Sequence, residues 1–152
     1  ESEFGHKVWL DEVDGGLVTR WQVLTGNPDD AEQWAPAIDH HIEQFGHPPR
    51  QASADRALYS PANEAYAHAK GVKHVILPKP GRKDDARRQH EQQPWFQRGR
   101  RFHAGVEGRI SVLKRKHPLA RCLDHGEKAF DQWVGWGVMA NNLTHIAAKL
   151  AA

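Results

Sequence analysis

Lys7-Val8-Trp9-Leu10-Asp11-Glu12-Val13, then Asp14-Gly15-Gly16, then Leu17-Val18-Thr19-Arg20-Trp21-Gln22-Val23-Leu24 has the form of two strands around a tight turn. The glycines supply the positive φ that such a turn demands. With a two-residue period, Leu17, Thr19, Trp21 and Val23 are expected on one face and Val18, Arg20, Gln22 and Leu24 on the other. Gly26-Asn27-Pro28-Asp29-Asp30 breaks the second strand and can cap a helix. Ala31, Trp34, Ala35, Ile38, Ile42 and Phe45 recur at helical spacing, which predicts a helix over 31–45, stopped by Gly46-His47-Pro48-Pro49.

Further along, a short buried strand is expected at 51–54, followed by Asp55-Arg56 and a loop through Tyr59-Ser60-Pro61. Proline in the first turn starts a helix over 62–70 and Gly71 stops it. Val72–Leu77 is the next strand, and the polar stretch Arg82–Gln93 suits either a helix or a loop. Helices are predicted over 94–116 and from beyond Gly126 to Leu150. An antiparallel pair followed by strands alternating with helices predicts an α/β layer fold with a mixed sheet flanked by helices. With no internal repeat and no linker, residues 1–152 read as one domain.

The chain has 152 residues, 39% hydrophobic and 26% charged, which is ordinary for one domain with a core of modest size. No window approaches twenty apolar residues, so a membrane span is not expected. Glu1–Lys7 has no basic-then-apolar signal pattern and no initiator Met, so the chain reads as a fragment. The single cysteine, Cys122, excludes an intramolecular disulfide and suits a reducing compartment, the cytoplasm. Net charge is only +2, yet Lys79–Arg121 holds thirteen Lys and Arg against four acids, a local +9 that leaves −7 elsewhere. Such asymmetry fits either a basic face for nucleic acid or a solvated charged helix.

Asp55 falls just past the carboxyl end of a predicted strand, where ligand and metal sites of α/β sheets collect. An isolated aspartate in a turn more commonly satisfies local backbone amides. On the helix after Pro94, Phe102, Val106, Ile110 and Leu113 form an apolar stripe about 80° wide. Beside it, Arg100, His103, Glu107, Ser111 and Lys114 form a second stripe about 80° wide. A carboxylate among cations at the edge of a buried face can ligate a metal while Arg100 and Lys114 contact phosphates. The bland alternative is a solvated helix with i,i+4 pairing.

Phe4-Gly5-His6-Lys7-Val8, Gly26-Asn27-Pro28-Asp29-Asp30-Ala31, Ala54-Asp55-Arg56-Ala57-Leu58-Tyr59-Ser60 and Gly105-Val106-Glu107-Gly108-Arg109-Ile110 through Lys114 occur in an order that resembles the C-terminal part of a bacterial insertion-sequence transposase of the DDE type. The resemblance covers nearly the whole chain and implies a ribonuclease-H-like fold, here lacking the first strand. It implies that Asp55 is the second catalytic acid and metal ligand, and that Glu107, with Lys114 seven residues on, is the third. His103 stands where such helices often carry Arg, and a protonated histidine also donates to phosphate. The first acid has no counterpart; Asp11 lies in the hairpin, where an aspartate is usually an edge or solvent-facing residue.

The implied chemistry is DNA transposition, with metal-dependent cleavage and strand transfer by carboxylates that hold two Mg2+ ions (Mn2+ as substitute). The implied partner is double-stranded DNA at transposon ends, held by Arg100, Arg101, His103, Arg109, Lys114, Arg115 and Lys116, largely without reading sequence. A homo-oligomer in the complete enzyme and a bacterial, nucleoid-associated location are implied as well. With one acid missing, this piece is expected to be inactive alone. The alternative is a non-catalytic DNA-binding or oligomerising remnant that uses the basic segment 79–121.

Other chemistries find little support. Eleven histidines lack any zinc-ligand spacing, and no nucleophile elbow or P-loop is present. Cys122 beside Arg121 is a passive cysteine or a weakly activated one. Trp95 and Phe96 fit packing better than stacking on unpaired bases. Trp21, Trp34, Trp133 and Trp136 fit core positions. The last helix carries Phe130, Trp133, Val134, Gly137, Val138, Leu143, Ile146 and Leu150, a stripe broad enough to cover a sheet or meet another subunit. Asn141-Asn142, poor helix formers near its middle, mark a polar contact inside the domain.

Overall fold

The computed structural model describes residues 7–26, 28–116, 122 and 126–151, with the backbone alone at 107, 109 and 111–116. It is a mixed α/β chain that divides into two compact units, one from residues 1–27 with 106–152 and the other from 28–105.

In the first unit, β1 (Lys7–Val13) and β2 (Leu17–Leu24) form an antiparallel hairpin, with Leu10 opposite Trp21 and Val8 opposite Val23. Gly15 and Gly16 turn the chain at φ 91° and 77°, where a side chain would be strained. The strict alternation expected of β2 does not hold. Asp11 pairs with Arg20 but Glu12 pairs with Val18, so Thr19 is an extra residue and the strand changes phase there. This bulge turns Val18 to the same side as Trp21 and Val23. Helix α5 (Glu127–Leu150) covers that side: Val18, Val134 and Val138 are buried together, with Val8, Leu10, Val23, Phe130 and Trp133 packed around them. Trp21 lies over Gly135, where an added Cβ would come within 2.8 Å of the indole, and its Nε1 donates to Asp131 at 3.2 Å.

The Asn141-Asn142 pair makes the polar contact expected of it. Asn142 accepts from Val18 N at 2.9 Å and donates to Val18 O at 2.8 Å, so one side-chain amide stands in for a neighbouring strand at the open edge of β2. Buried Asn141 donates to Gly16 O at 3.3 Å. Trp136 is not a core residue. It is 66% exposed, because α5 buries only the side that meets the hairpin.

The second unit starts with a 3-10 turn, Asp30–Gln33, capped by the Asp29 carboxylate on Ala31 N. Helix α1 (Trp34–Phe45) follows and ends at Gly46 in the left-handed conformation. Strands β3 (Gln51–Ser53) and β4 (His74–Ile76) pair in parallel, which requires a crossover, and α2 (Pro61–Ala69) supplies it. Ser60 caps α2 through Asn63 N, and Pro61 holds its first position. β3 is half-buried rather than buried; Val75 and Ile76 of β4 carry the core of this pair. The polar stretch after Pro80 resolves into helix α3 (Asp85–Gln92), capped by Asp84, and α4 runs from Pro94 to Lys116. Phe96 of α4 is fully buried, and Gly99 lets the helix approach Ile76, whose Cγ1 would lie 2.6 Å from an added Cβ.

Among the described residues, hydrogen bonding gives an antiparallel two-stranded sheet in the first unit and a parallel two-stranded sheet in the second, where the element order predicts a single mixed sheet. Among the described residues, no helix is long and apolar enough to cross a membrane.

Candidate metal and nucleic-acid site

Ala54 extends the parallel ladder by one bond, donating to Ile76 O at 3.1 Å, and the chain turns at the next residue. Asp55 caps the 3-10 turn Arg56–Leu58: its Oδ1 accepts from Arg56 N at 2.6 Å and its carbonyl from Leu58 N at 3.1 Å. The residue is exposed, and Oδ2 has no hydrogen-bond partner among the described residues. Both readings of Asp55 therefore have a physical counterpart. One oxygen serves the turn, and the other is a hard donor open to solvent, of the kind that suits Mg2+. The turn is pinned from behind by Asn63, which donates to Leu58 O at 2.9 Å and Ala31 O at 3.0 Å.

A second device stiffens the same end of the parallel pair. Arg87 of α3 donates to both oxygens of Glu64 on α2 at 2.7 and 2.9 Å, to Glu91 Oε1 at 2.8 Å and to Leu77 O at 2.5 Å. Its guanidinium lies 4.7 Å from the centre of the Tyr59 ring, four residues past Asp55. Glu91 is buried and also accepts from Lys79 N at 2.9 Å and Lys83 Nζ at 2.5 Å. Burial alone would raise the Glu91 carboxyl, but hydrogen bonds from Lys83, Arg87 and Lys79 N outweigh it and hold the group below the usual carboxylate range. Burial likewise opposes the charge on Arg87, and the hydrogen bonds to Glu91 and Glu64 reverse the effect, raising its pKa. Sequence reasoning missed this cluster. The available signals were the i,i+4 spacing of Arg87 and Glu91 and Asp84 three residues before Arg87.

The basic segment separates into two groups. Lys83, Arg87 and Arg88 are paired with Glu91, Glu64 and Asp85. Arg98, Arg100 and Arg101 of α4 are exposed, and no described acid lies within ion-pair reach of them. His103, on the same helix, is half-buried. The side chains of Glu107, Arg109, Lys114, Arg115 and Lys116 lie outside the described residues; their backbones continue α4. Arg121 and, from the motifs that carry the resemblance, residues 4–6 and 27 also lie outside the described residues. Asp55 belongs to the unit 28–105 and Glu107 to the other, each placed within its own unit. Among the described residues no three His, Cys, Asp or Glu side chains cluster around a common point.

At the amino end of the parallel pair, His74 N donates to Arg50 O at 3.1 Å, and the His74 ring lies 4.7 Å from that of Trp95. His90 meets the same indole edge-on at 5.3 Å. Phe96 is fully buried and Trp95 is half-buried against His74 and His90, so these two aromatics of the basic segment pack within the protein. Burial lowers the His74 pKa, and the positive charges of Lys73, Arg50 and Arg98 add to the effect. In the hairpin, Asp11 accepts from Trp9 Nε1 at 2.6 Å and pairs with Arg20 at 3.5 Å. No family model, curated protein or solved structure matches this chain.

Proposed function

We propose that this chain is the C-terminal part of a DDE-type transposase nuclease domain of ribonuclease-H-like fold, which acts in metal-dependent cleavage and strand transfer of DNA. The observation that carries the reading is Asp55: an exposed carboxylate at the carboxyl end of a parallel strand, with one oxygen held by the turn and the other open. The succession of hairpin, helix, strand, crossover helix, strand and late helix supports it, with Glu107 and Lys114 seven residues apart on that late helix.

In this reading Asp55 and Glu107 hold Mg2+ through carboxylate oxygens, and the capped turn keeps the Asp55 oxygens oriented before any ligand arrives. Bound divalent ions supply activation of the attacking oxygen and stabilisation of the leaving one at the phosphodiester. Arg100 and Arg101, which face no acid among the described residues, grip the backbone of duplex DNA with the cations further along α4. A first acid has no counterpart within residues 1–152, so strand transfer needs a carboxylate from outside them. The local use of Asp55 Oδ1 favours a second reading, in which the acids are incidental and the basic segment binds DNA without chemistry.

Mn2+ titration in the presence of a short duplex separates the two. Asp55→Asn keeps the acceptor for Arg56 N while removing the charge, and Glu107→Gln is its counterpart on α4. The transposase reading expects each substitution to weaken Mn2+ binding by about tenfold or more, the loss of one charged ligand being worth more than 1.4 kcal/mol, with DNA affinity unchanged or raised. Equal Mn2+ affinity in all three proteins would overturn it in favour of the non-catalytic remnant.

A further inference from the structure

Helix α5 has two apolar faces, and among the described residues only one of them is covered. At 100° per residue the buried set Val134, Gly137, Val138 and Asn141 and the exposed set Trp136, Met139, Leu143, Ile146 and Leu150 are centred about 170° apart on the helix. The exposed residues are 66%, 45%, 57%, 42% and 85% accessible. They follow one another at spacings of three, four, three and four, the alternation of a helix-pairing seam with its period of 3.5 residues. From Trp136 to Ala148 the helix contains no Asp, Glu, Lys or Arg, in a chain that is 26% charged. A helix face meant for water carries charges; this one has none.

We infer that Trp136, Met139, Leu143, Ile146 and Leu150 form a seam that docks α5 against α5 of a second copy of this chain. A 3-4 apolar spacing on one helix is complementary to the same spacing on another, so the face matches itself, as a two-fold interface requires. Ala140 and Ala147 flank the seam and let a second helix approach closely, and no flanking acid is present to select a different partner by charge. The five side chains leave on the order of 600 Å² of apolar surface open per chain, so pairing would remove about 1,200 Å², the lower end of specific interfaces. The inference stands on α5 alone and is independent of the metal and DNA reading.

The test is the mass of the full chain in solution, by sedimentation equilibrium up to about 100 µM, where a micromolar dimer is fully formed. The expected species is two 17.2 kDa chains. Leu143→Lys with Ile146→Lys is expected to give one chain per particle with unchanged far-ultraviolet helicity, since neither side chain is among those packed on the hairpin. A native chain that stays monomeric, or a double variant that stays dimeric, overturns the inference. A second route needs no charged substitution. Leu143 is the middle residue of the seam, so it meets its counterpart whichever way the two helices run. Leu143→Cys in a Cys122→Ser background is expected to form a disulfide-linked dimer under mild oxidation, and its failure to do so also overturns the inference.

Discussion

Arg87 and Glu91 are the clearest case of one residue's chemistry depending on several elements. A buried carboxylate is tolerated here because three donors reach it, and a nearly buried guanidinium because it faces two carboxylates and a carbonyl. Proton binding follows from these environments. Glu91 is held below its ordinary 4.5 and His74 below its ordinary 6.5. In each case the unfolded chain takes up a proton at a higher pH than the folded one does. Stability is therefore complete above the ordinary value and is lost as pH falls toward the folded value. Urea unfolding of the native chain should weaken below pH 6.5 and again below 4.5. His74→Gln should flatten the first fall by at most about 1.4 kcal/mol per pH unit, the limit for one proton. A native and a variant profile that run parallel between pH 7 and 5 would show that His74 titrates alike in both states.

Elements whose signal is local were legible in the sequence. The hairpin turn needed only Gly15-Gly16, α1 only its apolar spacing, and α2 only Ser60-Pro61 ahead of it and Gly71 after it. Asp55 at the end of a strand was legible for the same reason. Pairing is not local, so the division into two small sheets and the bulge at Thr19 could not be read from strand patterns. The Arg87 cluster, assembled from α2, α3, Tyr59 and the end of β4, was hidden likewise. Asn142 lies between these cases: its poor helix propensity marked a polar contact, but only the fold identifies Val18 as the partner, 124 residues away. Asn142→Leu leaves both polar groups of that peptide edge without their protein partner. The expected cost is about 2–4 kcal/mol, the sum over two partly buried groups at about 1–2 each. Chemical denaturation checks it, and a loss below about 0.5 kcal/mol would mean that water replaces the amide at the strand edge.

For the molecule as a whole, charge is arranged rather than abundant. The +9 of Lys79–Arg121 is partly spent internally, since Lys83, Arg87 and Arg88 face acids while Arg98, Arg100 and Arg101 face none among the described residues. If the free cations of α4 meet phosphates, each contact releases condensed counterions, and DNA affinity falls with salt by a slope of about 0.9 per phosphate contact. Replacing Arg100 and Arg101 together with Ala should therefore make the slope of log affinity against log salt shallower by about 2. Arg88→Ala removes one positive charge as well, but that charge already faces Asp85, so its slope should match the native chain's. Fluorescence anisotropy of a labelled duplex across salt concentrations measures all three. A solvated helix with no DNA role predicts the opposite pattern: every slope then depends on net charge alone, and Arg88→Ala lowers it as much as either α4 arginine does. The comparison of Arg88 with Arg100 and Arg101 thus separates a binding face from a merely basic protein, without requiring the metal site to be intact.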